Sequence, residues 1–231
     1  MGGVEPRSPS RAGRSSQIRY FGPQQLEGEF MTCPRFIHVG AWSAIMGVAS
    51  LPTAASAHVL GRSAGDSLAI GFAHPFSGLD HQLVMFAIGL WAALCGGRAR
   101  LALPAAFVGG AVLGLASAQV LGTASAPGLL AASVIVVGGC VAFERRSAPT
   151  LAILTALACG SLHGHAHASD LAASAAPSRF AVGFLAATVL LHAAGFGIAA
   201  GLPWRVRTDW TRAAGGAIAA AGAVLVAVAL R

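Results

Sequence analysis

The sequence predicts an all-α, polytopic membrane protein, a six-transmembrane-helix bundle that follows a cleaved signal peptide. Three observations carry this expectation. Of 231 residues, 55% are hydrophobic and only 10% are charged, against about a quarter charged in an average soluble domain. The apolar residues run in blocks of about 20, the length that spans ~30 Å of hydrocarbon. The arginines between the blocks fall in alternate connections, the asymmetry that orients helices in a bilayer.

Residues 1–30 are polar, carry Arg7, Arg11, Arg14 and Arg19, and show no periodic apolar pattern. They read as a disordered extension or a misassigned start. From Met31 the chain has a short basic segment with Arg35, an apolar run from Phe36 to Leu51, the helix-ending Pro52, and then Ala55-Ser56-Ala57. A short apolar run followed by a small-residue site is the pattern of a secretory signal peptide. The segment 31–57 is therefore expected to be removed, with His58 as the new N-terminus and 58–231 as the membrane domain. The alternative is a seventh, uncleaved helix.

Six apolar blocks follow, at 70–95, 101–122, 127–143, 149–165, 178–201 and 212–230. Arg98 and Arg100 follow the first block, Arg145 and Arg146 the third, and Arg205, Arg207 and Arg212 the fifth. The positive-inside rule makes these connections cytoplasmic. An even number of crossings then puts the C-terminus in the periplasm of a bacterial inner membrane, the side to which a cleaved signal peptide would deliver His58. Gly110 and Gly114, four residues apart in the second block, suit close helix contacts. Pro104, Pro149 and Pro203 are expected near helix ends, where proline is tolerated.

A formal charge of +7 with a pI near 10.9 could suggest a nucleic-acid partner. The 15 basic residues are all arginine, however, and sit at the two termini, between apolar blocks or at the edges of blocks, which is topology rather than a binding face. The lack of lysine also excludes a conventional Walker A ATPase, which needs one.

An ionisable side chain in apolar sequence costs a few kcal/mol on insertion scales, so it is a functional candidate by default. His74, Asp80 and His81 lie in the first block, His163, His165 and His167 end the fourth, with Asp170 just beyond, and His192 lies inside the fifth. Residues 74 and 81 are two helical turns apart and share a face if the helix is continuous, with Asp80 pointing about 100° away. Asp80 is then either a direct oxygen ligand or the carboxylate that fixes an imidazole tautomer. Pro75 and Gly78 are expected to loosen that turn and free backbone carbonyls, which membrane proteins allow only where protein or water lines the cavity. His163 and His167 have the i, i+4 spacing of a two-histidine metal site, which turns His165 elsewhere. His192 is either a ligand or a histidine bonded across the bundle, and His58 either a terminal chelator or an ordinary mobile end. Cys95, Cys140 and Cys159 form an odd set and imply no disulfide framework.

The run His74-Pro-Phe-Ser-Gly-Leu-Asp80-His81 and the later His163-Gly-His165-Ala-His167 resemble the two signatures of the HupE/UreJ family of nickel permeases and metallocentre accessory proteins. The resemblance implies that His74, Asp80, His81, His163 and His167 occupy metal-handling positions. Ala168 and Asp170 stand where that family often has glycine and glutamate, and aspartate keeps the charge with a shorter reach.

Mixed imidazole and carboxylate donors suit nickel, cobalt or zinc better than magnesium or calcium, and the resemblance favours nickel. The expected function is a secondary permease that moves Ni2+ (or Co2+ or Zn2+) as cargo from periplasm to cytoplasm, with no permanent cofactor and no enzymatic activity. Its partners would be the divalent ion and the lipid bilayer. The alternatives are an integral-membrane metalloenzyme, a haem-binding electron carrier, and a non-transporting accessory protein that serves nickel-enzyme maturation proteins of hydrogenase or urease.

Overall fold

The computed structural model describes residues 1–3, 64–121, 127–143 and 149–231. The expected signal peptide at 31–57, its cleavage site and His58 lie outside the described residues, as does most of the polar segment before them. The chain beyond is helical, with no strand among the described residues. We label its helices α1 (Ala64–Ala73), α2 (Leu79–Cys95), α3 (Ala99–Leu121), α4 (Pro127–Ala142), α5 (Pro149–Ala166), α6 (Ala168–Ala173), α7 (Pro177–Gly201) and α8 (Trp204–Ala229). A 3-10 turn, His74–Phe76, joins α1 to α2.

The helices follow the predicted blocks with four departures. The first block is broken: its two halves, Asp66–Phe76 and Leu79–Cys95, are bent by 79°. Pro75 is the second residue of the 3-10 turn and Gly78 is extended at the start of α2, and neither continues an α-helical hydrogen-bond ladder. Second, Pro104 lies inside α3 rather than near its end. Third, Arg205, Arg207 and Arg212 are not in a loop but on the first turns of α8, because the connection from α7 shrinks to Leu202 and Pro203. The guanidinium of Arg207 donates to the carbonyls of Ala200 and Leu202, a cation at the negative end of α7. Fourth, the last helical residue of α5 is Ala166, so His167 stands outside it, at the N-terminal cap of α6.

Among the described residues, three helices are long and apolar enough to cross a membrane, over Ala99–Ser117, Pro177–Gly201 and Arg205–Ala229, with the bent pair as a fourth if it counts as one span. The other two blocks fall short for local reasons. Helix α4 has 16 residues, and α5 carries His163 and His165 in its last turn, which lowers its apolar character.

Glycine sets how the helices pair. A β-carbon on Gly110 or Gly114 would lie 2.2 Å from the carbonyl oxygen of Leu157 or Ser161, and one on Gly160 or Gly164 would lie 2.0 Å from that of Phe107 or Ala111. Backbones this close exclude any side chain at the crossing. Residue numbers rise together along both helices, so α3 and α5 run in the same direction. The same holds for the bent pair and α7, where Gly71 meets Phe180 and Gly89 meets His192. Helices α4 and α8 run oppositely, Gly215 meeting Ala142 and Gly222 meeting Val134 and Ile135. The core between these pairs is filled by Trp91, Phe107, Phe180, Phe184, Met85 and Ile88, each at most 1% exposed.

Candidate metal centre

The break in the first block is what builds the site. The 79° bend falls between His74 and His81, whose ring centroids are 6.4 Å apart. Backbone groups freed by the break find partners. The Ser77 hydroxyl donates to the His74 carbonyl at 2.6 Å, and the buried Gln82 amide donates to the Phe76 carbonyl at 2.8 Å. Such bonds matter because an unmatched carbonyl away from water costs several kcal/mol, on the order set by transfer into an apolar medium.

His74 Nε2 lies 2.8 Å from His167 Nδ1. The Asp170 carboxylate accepts from His167 Nδ1 at 3.2 Å and sits 3.6 Å from His74 Nε2. One donor atom from each of these three residues lies within 4.8 Å of the other two. The other nitrogen of His167, Nε2, meets Nε2 of His81. Asp80 Oδ1 then accepts from His81 Nδ1 at 2.7 Å and from the His81 backbone N–H at 2.9 Å. The His163 ring stands 4.7 Å from that of His81, centroid to centroid, and its Nε2 lies 3.0 Å from the Ser133 hydroxyl.

Burial increases along this row. The Asp170 side chain is 48% exposed, that of His74 23%, and His163 is fully buried. Phenylalanine rings wall it: Phe180 beside His74, Phe184 beside His167 and Phe107 beside His163. At the outer end, the hydrogen bond from His167 holds the Asp170 carboxyl below its ordinary range, while burial pushes the His167 imidazole below its own, against the opposing pull of Asp170. The groups therefore stand as neutral imidazole and carboxylate at neutral pH, the forms that bind a metal. Nitrogen and oxygen donors of this kind fit a divalent transition ion better than magnesium or calcium.

The family model described as HupE / UreJ protein matches residues 44–225. The chain belongs to the HupE/UreJ family. It is 41% identical over 181 residues to Protein HupE of Rhizobium leguminosarum bv. viciae, an alignment that covers 77% of this chain and 92% of that protein. No solved structure matches it.

The two signatures that suggested HupE/UreJ membership meet in space: His74, Asp80, His81, His163, His167 and Asp170 form one continuous set of contacts. The i, i+4 pair His163 and His167 does not act from a single helical face. The two rings instead flank His81, at 4.7 and 4.4 Å between centroids. Aspartate at 170 reaches both His74 and His167 despite its length. His165 is turned away from the set, its Nδ1 lying 3.1 Å from the Ser117 hydroxyl. His192 is 2% exposed, neither ring nitrogen has a hydrogen-bond partner, and Phe107 lies against its ring at 5.1 Å. A bond from His192 across the bundle, one of the two expected roles, is therefore not made.

Three residues of the site escaped the sequence reading: Ser133, Gln82 and Phe107. Ser133 is the one hydroxyl residue of α4, and a lone polar group in an apolar block is a visible signal. Gln82 follows the first signature directly. Phe107 has no signal in a single sequence.

Proposed function

We propose that this HupE/UreJ protein is a secondary permease for a divalent transition metal, nickel foremost, that carries the ion from periplasm to cytoplasm across a bacterial inner membrane. The observation that carries the reading is the graded row of donors from half-exposed Asp170 to fully buried His163. A transport path needs several sites of moderate strength, each good enough to admit the ion and weak enough to release it. Overlapping donor pairs along one row fit that requirement better than a single closed cage.

Helix directions support six alternating crossings. Spans one and five, and spans two and four, run alike, while three and six run oppositely, as alternation requires. On that topology the row begins at the periplasmic ends of α2 and α5. No ATPase is needed, since two positive charges moving inward through 100 mV gain about 4.6 kcal/mol, roughly a thousandfold accumulation. The protein acts on no bond of its cargo, so it is a carrier rather than an enzyme.

Uptake of radioactive nickel by cells expressing the protein tests the reading. Accumulation that an uncoupler abolishes, and that cells without the protein lack, is the expected result. Stoichiometric binding by the purified protein with no uptake would instead mark a non-transporting accessory protein.

A further inference from the structure

Ser133 lies on α4, outside both signatures, and its geometry leaves one proton arrangement. Its hydroxyl is 2.6 Å from the Leu130 carbonyl and 3.0 Å from His163 Nε2. A carbonyl only accepts, and a hydroxyl has one proton, so that proton goes to Leu130. Ser133 must then accept, and His163 must carry its hydrogen on Nε2. The remaining nitrogen, Nδ1, keeps a bare lone pair, is buried, and has no hydrogen-bond partner.

We infer that Ser133 is a positioning residue for the metal path: by accepting the Nε2 hydrogen of His163 it fixes the tautomer whose unprotonated Nδ1 serves as the innermost imidazole donor beside His81. The inference deepens the proposed function and rests on it. Asp80 does the equivalent for His81 through Nδ1, which is the way outer partners tune ligating histidines. The helix face of α4 thus contributes to a site otherwise built from the bent pair and from α5 and α6. Ser117 offers an internal comparison. It also spends its proton on a carbonyl, that of Gly114 at 2.8 Å, and accepts from a histidine, His165, but that ring lies outside the row.

The test uses the full-length protein in detergent. Nitrogen-15 NMR of labelled histidines assigns the His163 tautomer in metal-free wild type, and Ni2+ titration gives the affinity of wild type, Ser133→Ala, Ser133→Thr and Ser117→Ala. We expect an Nε2–H tautomer for His163 in wild type. Ser133→Ala should mix the tautomers and weaken nickel binding roughly 10- to 100-fold, with Ser133→Thr restoring both and Ser117→Ala leaving affinity as in wild type. An Nδ1–H tautomer in wild type overturns the inference even if no variant folds. So does wild-type affinity in Ser133→Ala, or an equal loss in Ser117→Ala. Wild type that binds no divalent ion would sink the metal reading itself, and this inference with it.

Discussion

His81 and His167, 86 residues apart in the chain, meet through their Nε2 nitrogens. The first belongs to the helix after the break and the second to the cap of α6, so this contact joins the two signatures. Its other side is also occupied, since Asp80 holds His81 Nδ1. His81 is therefore oriented from one carboxylate and presents its second nitrogen to the centre of the row.

That position makes His81 the residue whose loss matters most. His81→Ala should abolish nickel uptake while the protein remains in the membrane at its normal level, as measured by immunoblot of the membrane fraction beside the uptake assay. Normal uptake in that variant would remove the row from the mechanism.

Gly78 should behave as part of the site although it has no side chain. A β-carbon there would lie 2.7 Å from both Asp80 Oδ1 and His81 Nδ1. Those are side-chain atoms that can move, so Gly78→Ala should fold but push the pair apart. The expected loss is about 10- to 100-fold in nickel affinity, the usual cost of disturbing a carboxylate that orients a ligating histidine. Titration of the purified variant, with its melting temperature as a folding control, checks this.

Gly164 should behave in the opposite way. The β-carbon of Gly164→Ala would sit 2.0 Å from the Ala111 carbonyl oxygen, and backbone cannot step aside as a side chain can. The α3–α5 contact must open, at a cost of about 1–3 kcal/mol. Gly109→Ala, with nothing within 4 Å of the new carbon, should melt as wild type does. Thermal unfolding in detergent separates the two.

The pH dependence has a definite sign. Burial lowers the His167 pKa from its ordinary 6.5, so the ring stays neutral and able to ligate somewhat below that pH. Protonation removes the lone pair, so nickel capture should be flat from mild alkali to about pH 6.5 and fall on further acidification. Asp170 contributes no loss in that range, because its carboxyl is held below its own ordinary value by the bond from His167. A titration of nickel binding against pH would contradict this if affinity rose on acidification.

Much of this was legible in the residues alone. Hydropathy found blocks whose bounds fall within a few residues of α3, α4, α5 and α7, because apolar runs of that length have few other structures open to them; it began the first block at 70 rather than 64, began the last at 212 rather than 204, and missed α6. The motif histidines were legible too, since charge-capable groups in such runs are costly to keep without use. What was not legible depends on long-range packing. The bend at Pro75 and Gly78 was anticipated as a loosened turn, but its 79° comes from Gly71 and Gly183 letting α1 lie against α7. The arginines at 205 and 207 resembled a loop because charge patterning reports topology, not backbone conformation. Ser133 needed the distance to His163, which no local pattern encodes.

Nickel-edge X-ray absorption on the purified, nickel-loaded protein tests the central claim most directly. The account predicts nickel held along the row with the multiple-scattering signature of imidazole ligands, and loss of that signature in His81→Ala. A nickel shell of water or carboxylate oxygens alone, or an imidazole shell unchanged by His81→Ala, would contradict it.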